Sequence, residues 1–204
     1  MKTITAITPQ VKNAKRCNIF LDGEFFCGME LETVVKNRLK AGMQIDEDTL
    51  EKVQLESERS VALDRAMTFL SGSVKSEKQT RDYLKEKGFT PAVCDNVIEK
   101  LKEYGFLDDE YYAKRYVETY SDKKGAFLLK QELKRKGMDE ETAENALSDL
   151  GDQTDAAIAV AEKYARGKKS DAQTLQKTYR YLISKGFSFD EADTAVKRLK
   201  GDEE

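Results

Sequence analysis

The sequence predicts a mainly α-helical protein, in which three tandem three-helix repeats follow a small N-terminal segment made of a β-hairpin and a helix. Three observations predict this fold class. A leucine near a Lys-Gly pair recurs at a constant spacing of 49 residues, and apolar residues follow helical periodicity around it. The chain of 204 residues has two prolines, with 36% charged and 39% hydrophobic residues. This composition is typical of amphipathic helices with solvated outer faces.

The N-terminal 45 residues carry the strand signals. Residues 17–21 and 24–28 flank Asp22-Gly23, which predicts a hairpin with a two-residue turn. Residues 3–8 are a candidate third strand, and residues 31–39 are expected to be helical. Because an isolated hairpin is marginally stable in water, this segment is expected to pack on a helix or a partner.

The cysteines indicate a reducing compartment. Cys17, Cys27 and Cys94 are odd in number and form no C-x-x-C pair. With a two-residue turn, Asn18 would lie opposite Cys27, so the thiols of Cys17 and Cys27 would face opposite sides of the sheet and form no disulfide. No apolar stretch approaches the length of a membrane span, so we expect a soluble cytoplasmic protein.

The repeat begins after a linking helix. The acids at 46–48 are a helix start, and this helix is expected to run through Leu55 towards Ala66. The hexapeptide at 84–89, LKEKGF, recurs as LKRKGM at 133–138 and LISKGF at 182–187. Each Lys-Gly predicts the end of a second helix, because glycine tolerates the left-handed conformation there.

Third helices should follow each Lys-Gly. Thr90-Pro91 offers an N-cap and a proline in the first turn, while acids open the corresponding helices near 139 and 190. The predicted domains are 1–45 for the N-terminal extension, 46–107 for the linking helix and first repeat, 108–151 for the second repeat, and 152–204 for the third.

The sequence favours a binding protein over an enzyme. It contains no histidine, which removes the commonest general base and metal ligand. It also has no nucleophile elbow and no phosphate-binding glycine motif. We therefore expect no catalytic residues, no cofactor and no metal site, with function residing on the outer helix faces.

Basic residues concentrate on the predicted second helices. Residues 123–137 hold six basic residues against Glu132, and residues 166–186 hold six against Asp171. Most lysine-rich helix faces are simply solvated, but their recurrence in repeats would form an interrupted basic stripe for an acidic or polyanionic partner. The candidate partner-binding or DNA-binding residues are Arg81, Lys85, Lys87, Lys123, Lys124, Lys130, Lys134, Arg135, Lys136, Lys177, Arg180 and Lys185.

The Lys-Gly junctions superficially resemble a helix-turn-helix, whose second helix enters the major groove of DNA. The third helices of the second and third repeats begin with acids, notably Asp139 and Asp190. Those carboxylates would face the phosphates, so sequence-specific DNA reading by these repeats is not expected.

Residues 105–117, GFLDDEYYAKRYV, resemble the G-x-L-D-D-x-x-[FY]-A-x-x-[YF]-[VI] signature of the RecX family, which modulates the RecA recombinase. The similarity extends over roughly residues 60–199. The family usually has Arg and then Gly-Pro after this signature, where this chain has Glu118 and later Gly125-Ala126. The signature residues are Asp108, Asp109, Tyr112, Ala113 and Tyr116.

The resemblance implies an elongated, curved repeat protein that binds along the RecA filament on single-stranded DNA. It would mainly inhibit the recombinase, ATPase and co-protease activities of RecA, and so act in DNA recombination, DNA repair and the SOS response. A monomer without membrane contact is expected, with single-stranded DNA bound directly or through the filament. Two alternatives stay open: a DNA-binding repeat protein acting through its basic stripe without a recombinase, and a scaffold for another protein.

Overall fold

The computed structural model describes residues 1–11, 13–169 and 171–201. The chain forms two compact units, Met1–Asp108 and Asp109–Glu204, each with its own hydrophobic cores. The first unit holds the sheet and a three-helix domain, and the second holds two further three-helix domains. The predicted mainly α fold class is confirmed.

The N-terminal segment is an antiparallel sheet with one short helix. Over the described residues before 46 its strands have the order β3-β2-β1-β4. Its elements are β1 (Lys2–Gln10), β2 (Asn13–Leu21), β3 (Glu24–Glu30), α1 (Leu31–Lys36) and β4 (Gln44–Ile45). Asp22 and Gly23 have φ values of 50° and 91°, as the predicted two-residue hairpin turn requires.

The expected register of this hairpin is wrong by one residue. Ile19, not Asn18, lies opposite Cys27, because the register shifts at Ile19/Phe20 and leaves Phe26 as an extra residue in β3. Cys17 and Cys27 therefore face the same core and not opposite sides of the sheet. All three cysteines are described, buried and free, so the absence of a disulfide is confirmed although its expected reason is wrong.

The first three-helix domain follows the sheet without a break. The acids at 46–48 open one long helix, α2 (Glu47–Ser71), as predicted. The remaining helices are α3 (Glu77–Glu86) and α4 (Pro91–Glu103). Ser76 and Gln79 form a reciprocal capping box at the start of α3, and Gly88 after it has a φ of +86°.

The sheet packs on this domain through backbone groups. The amide of Gly28 in β3 donates to the carbonyl of Gly88 at 2.8 Å. Gln54 of α2 donates to the carbonyls of both glycines, and its Oε1 accepts from the amide of Thr90 at 2.7 Å. The strand edge that the hairpin leaves open is thereby occupied at Gly28.

The second unit repeats the three-helix arrangement twice. Its helices are α5 (Asp109–Tyr120), α6 (Ala126–Arg135), α7 (Glu140–Leu147), α8 (Thr154–Ala165), α9 (Ala172–Ser184) and α10 (Phe189–Gly201). The anchor leucines, Leu84, Leu133 and Leu182, are each fully buried. The 49-residue period is therefore a period of core positions, as the sequence predicts.

Two glycines bring the helical domains of the second unit into backbone contact. The amide of Gly125 donates to the carbonyl of Lys185 at 2.9 Å, and the amide of Phe127 donates to that of Gly186 at 3.2 Å. A Cβ atom at Gly186 would clash with the backbone nitrogen of Leu128. This approach therefore requires glycine, and Gly186 also has a φ of +86°.

Candidate interaction surface

The predicted basic residues of α3 lie among acids. Arg81 pairs with Glu77 at 3.2 Å and also with Asp95 of α4. Lys87 lies 3.2 Å from the carboxylate of Glu86, whereas Lys85 is exposed. Two of the three candidate residues on α3 and at its C-cap thus have carboxylate partners.

The basic face of α6 is paired with the acidic start of α7. Lys130 contacts Glu140 at 2.5 Å and Glu144 at 2.8 Å, and Lys134 contacts Glu140 at 2.6 Å. The hydrogen bonds from Lys130 and Lys134 lower the pKa of Glu140 from 4.5 to about 2. The acids that the sequence placed at the start of this third helix therefore also neutralise the lysines of the second helix.

Glu132 contacts two further basic residues of the second domain, Lys124 and Arg135. Its Oε2 accepts from the Tyr116 hydroxyl at 2.7 Å and from Lys124 at 2.6 Å, and Arg135 lies 3.9 Å from its Oε1. Burial raises the pKa of Glu132, but the hydrogen bonds from Lys124 and Tyr116 outweigh it and hold that pKa below its ordinary value. Glu132 is therefore ionised at neutral pH and offsets the positive charge of Lys124 and Arg135.

Lys123 and Lys136, at the two ends of this basic segment, have different surroundings. Lys123 is exposed at 3.5 Å from the carboxylate of Asp122. The ammonium of Lys136 lies 5.0 Å from the ring centre of Tyr116, a cation-π distance. Neither lysine extends an unpaired basic stripe across the second domain.

The basic residues of α9 have a different setting. Lys177 and Arg180 are exposed, and no ion pair joins either to a carboxylate of the described residues. Lys185 lies 5.2 Å from the ring centre of Tyr181. The structure thus divides the predicted basic residues into a largely ion-paired group on α3 and α6 and an unpaired group on α9.

Ring–lysine contacts recur in all three helical domains and were missed from the sequence. Two aromatic rings and two lysines meet in each domain, at Phe69 and Tyr83 with Lys75 and Lys87, Tyr116 and Tyr120 with Lys124 and Lys136, and Tyr164 and Tyr181 with Lys168 and Lys185. A usable signal existed, because the tyrosine four residues before the Lys-Gly lysine recurs in the first and third repeats.

The three cysteine side chains are all buried. Burial raises the pKa of Cys27 to about 12 and that of Cys94 to about 11, and it also raises the pKa of Cys17. Protonated buried thiols are poor nucleophiles and metal ligands. Within the described residues, no group of three or more Cys, Asp or Glu side chains could hold a metal ion.

Comparison with known proteins accounts for the whole domain series. Residues 2–46 match the N-terminal domain of regulatory protein RecX, and residues 62–101, 108–147 and 151–196 match its first, second and third three-helix domains. Regulatory protein RecX of Bacillus licheniformis is 36% identical over 96% of this chain and 77% of its own length. That of Clostridium perfringens is 34% identical over 100% of this chain and 99% of its own. The chain belongs to the RecX family of regulatory proteins.

Solved structures agree with this family membership. A crystal structure of regulatory protein RecX covers 95% of this chain and 98% of its own, with a TM-score of 0.60 and 26% identity. The crystal structure of RecX from Lactobacillus salivarius covers 70% of this chain and 97% of its own, with a TM-score of 0.60 and 29% identity. The three-helix domains described above are therefore RecX domains.

The RecX signature residues mainly build the second domain. Tyr112 and Ala113 are buried against the core formed by α5, α6 and α7, and Tyr116 is half-buried beside Glu132. Asp109 is the first residue of α5, and Asp108 precedes it. Packing and the helix start thus give these positions a structural role.

The described part of this RecX chain has no helix that is both long and apolar enough to cross a lipid bilayer.

Proposed function

We propose that this protein binds the RecA filament assembled on single-stranded DNA and modulates, mainly by inhibition, its recombinase, ATPase and co-protease activities. The observation that carries the proposal is the match to RecX domains from residue 2 to residue 196, together with relatives named regulatory protein RecX at 34–36% identity. The protein would act by binding as a cytoplasmic monomer in DNA recombination, repair and the SOS response.

The repeated domains support binding to a repeating partner. Three modules of one fold, each carrying a ring–lysine contact, would give the protein several binding surfaces for successive subunits of a filament. Once one module binds, attachment of the others is effectively intramolecular, so modest single-domain affinities combine. Inhibition then needs no chemistry, because a protein that bridges subunits also restrains their exchange and rearrangement.

The test is a titration of the full-length protein into RecA filaments on single-stranded DNA. ATP hydrolysis, strand exchange and co-protease cleavage are measured at each concentration, with an unrelated helical protein of similar charge as the control. We expect all three activities to fall at concentrations well below that of RecA if the protein acts on filament ends, or near stoichiometry if it binds along the filament. Unchanged activities over a micromolar titration reject the proposal.

DNA binding through a continuous basic stripe, without a recombinase, is the less favoured alternative. On α6 the lysines that would form the middle of that stripe are engaged by Glu140 and Glu144. A phosphate would have to compete with these carboxylates for the same ammonium groups. The candidate residues Lys177 and Arg180 of α9 lack such carboxylate partners among the described residues.

A further inference from the structure

The third domain carries two stacked tyrosines within a basic face. Tyr164 of α8 and Tyr181 of α9 have ring centres 4.3 Å apart and ring planes inclined by 17°. Lys168 lies 3.2 Å from the Tyr164 ring centre, on the connection between these helices. The tyrosine face, as we name it, comprises Tyr164, Lys168, Lys177, Arg180, Tyr181 and Lys185.

Helical geometry places its basic groups around the rings. Lys177 and Tyr181 of α9 and Lys185 at its C-cap are spaced four residues apart and so lie along one side of the helix. Arg180 adjoins them, one residue before Tyr181. Both tyrosines are half-buried, so each ring is held by the fold and still reaches solvent.

Among the described residues, the basic residues of the tyrosine face lack the ion pairs that neutralise the corresponding lysines of the second domain. The position of Tyr181 is taken there by Glu132, which accepts from Lys124 and Tyr116. In the described part of the third domain, no carboxylate forms an ion pair with Lys168, Lys177 or Arg180. The nearby carboxylate of Asp171, whose pKa is lowered by hydrogen bonds from Thr174 and by Lys177, offsets part of the charge of Lys177 without forming an ion pair with it. The cations of this face therefore remain available to an anionic ligand.

The first-domain counterpart is also less favourable for an anion. Phe69 and Tyr83 stack with ring centres 4.2 Å apart, and Lys87 lies over Tyr83. There, however, Lys87 also pairs with Glu86, and the nearby Arg81 pairs with Glu77. In the first domain Lys75 and Lys85 form no ion pair with a described carboxylate, but Arg81 and Lys87 do. In the third domain none of Lys168, Lys177 and Arg180 forms an ion pair with a described carboxylate.

We propose that the tyrosine face binds single-stranded nucleic acid, with phosphates at Lys168, Lys177 and Arg180 and a base stacked on Tyr164. An exposed cation-π contact such as that of Lys168 favours the ring-bound position of the ammonium by only about 2- to 5-fold. Stacking of a base on an aromatic ring strengthens nucleic-acid binding by about 5- to 150-fold. A base can therefore displace the Lys168 ammonium from the ring. The displaced ammonium remains beside the ligand, where it can bind a phosphate.

The rings select the class of ligand. An acidic protein surface would satisfy the lysines but would leave the tyrosine faces without a stacking partner. Duplex DNA presents phosphates with its bases already stacked on one another, so it also cannot use the rings. Single-stranded nucleic acid supplies both groups, independently of whether the protein also binds a recombinase.

The electrostatic part is tested with the full-length protein and a fluorescein-labelled thymidine oligonucleotide, without recombinase. Fluorescence anisotropy gives the dissociation constant over a range of salt concentrations. The triple variant Lys168→Ala/Lys177→Ala/Arg180→Ala should reduce the log-log salt slope by about 2, since each phosphate contact on a single strand contributes about 0.7. Lys130→Ala/Lys134→Ala/Arg135→Ala removes the same net charge from α6 and is the matched control.

The control separates a local site from general attraction. It should change the slope by much less than the tyrosine-face variant, because Lys130 and Lys134 are already paired with Glu140. Equal changes in slope for the two triple variants would show that net charge alone drives binding. That result, or an unaltered slope in the tyrosine-face variant, overturns the proposal.

The stacking part is tested at Tyr164. Tyr164→Phe keeps the ring and should bind the oligonucleotide like the unsubstituted protein, whereas Tyr164→Leu should bind about 5- to 150-fold more weakly. An abasic oligonucleotide of equal length should bind both variants equally. Circular dichroism melting checks that each variant is folded.

A measurement on the unsubstituted protein supports the test if Tyr164→Leu is unstable. The chain has nine tyrosines and no tryptophan, so intrinsic fluorescence reports on tyrosine alone. Thymidine oligonucleotide should quench it, and abasic oligonucleotide or duplex DNA should quench it much less. Equal quenching by all three, or polyglutamate competing as well as the oligonucleotide at equal charge, overturns the proposal. A negative RecA assay would leave these measurements unaffected.

Discussion

Arg16 and Glu58 form an ion pair inside the first unit, with Nη1 of Arg16 2.6 Å from Oε2 of Glu58 and both side chains almost completely buried. Oε1 of Glu58 also accepts from the amide of Glu30 at 2.8 Å. The guanidinium lies 5.6 Å from the ring centre of Phe89. The pair thus links β2, the end of β3 and α2 in the interior.

Replacing Arg16 by Met should strongly destabilise the first unit. Glu58 would remain buried without its positive partner, and breaking such a pair typically costs about 3–5 kcal/mol. The free energy of unfolding from urea titration measures the loss. The double variant Arg16→Met/Glu58→Met should recover most of it, since apolar replacement of a buried pair is often neutral. Equal instability of the two variants would show that the packing of Arg16, not its charge, is what matters.

The same variant should acquire a characteristic pH dependence. Burial raises the pKa of Glu58 above its ordinary value, while Arg16 opposes this rise. Without Arg16 the folded pKa rises further above the unfolded one, so the folded state favours the protonated carboxyl. Stability of Arg16→Met should therefore be greatest below the unfolded carboxyl pKa and fall as pH rises through the folded pKa. A urea midpoint independent of pH over this range would contradict the expectation.

Gln54 should contribute more to the free energy of unfolding than an uncharged side chain usually does. Gln54→Leu removes the acceptor of the Thr90 amide and a donor to Gly28 and Gly88, and it leaves these backbone groups buried. An unsatisfied buried group costs about 1–3 kcal/mol, so a loss in that range is expected in urea unfolding. Gln131→Leu on exposed α6 is the control and should change stability by less than about 0.5 kcal/mol.

Gly186→Ala should destabilise the second unit by more than backbone strain alone. Gly186 and Gly151 both have positive φ, +86° and +62°, so alanine at either should cost about 1–2 kcal/mol. A Cβ at Gly151 would meet nothing within 4 Å, whereas one at Gly186 would clash with the Leu128 backbone. We expect Gly186→Ala to lose about 1–3 kcal/mol more than Gly151→Ala in thermal unfolding. Equal losses would show that the domains separate readily.

Glu140 should titrate well below an ordinary glutamate. Hydrogen bonds from Lys130 and Lys134 lower its pKa from 4.5 to about 2. Its contribution to stability should be present above the unfolded pKa of about 4.3 and be lost as pH falls through about 2. NMR titration of the side-chain carboxyl carbon measures the pKa directly. In Lys130→Ala/Lys134→Ala the pKa should return towards 4.5, and an unshifted value in the unsubstituted protein would contradict the pairing.

The three helical repeats were predictable because the buried leucines and the helix-ending glycines recur at the same spacing. Leu84, Leu133 and Leu182 are fully buried at the predicted spacing, and Gly88 and Gly186 have the left-handed conformation expected of helix ends. Such signals depend on neighbouring residues alone. These signals can therefore be recognised in the sequence without knowing how the helices pack.

Features that depend on packing between elements were not predictable in this way. The extra residue at Phe26 moves Cys27 opposite Ile19, and nothing in the turn sequence Asp22-Gly23 indicates that shift. The ion pairs of Lys130 likewise require the angle between α6 and α7, which a residue pattern does not contain. The lysine-rich composition therefore predicted where the charges lie but not which of them are neutralised.

The contact between Gly28 and Gly88 gives the sheet a second role. In the second unit the carbonyl of Gly186 accepts from Phe127 of the preceding helical domain, and the repeat-related carbonyl of Gly88 accepts from Gly28 of β3. The sheet thus stands where a preceding repeat would otherwise stand. We therefore expect the sheet to cap the first repeat, as terminal segments do in other repeat proteins, so that its removal would expose backbone groups of the first repeat and promote aggregation.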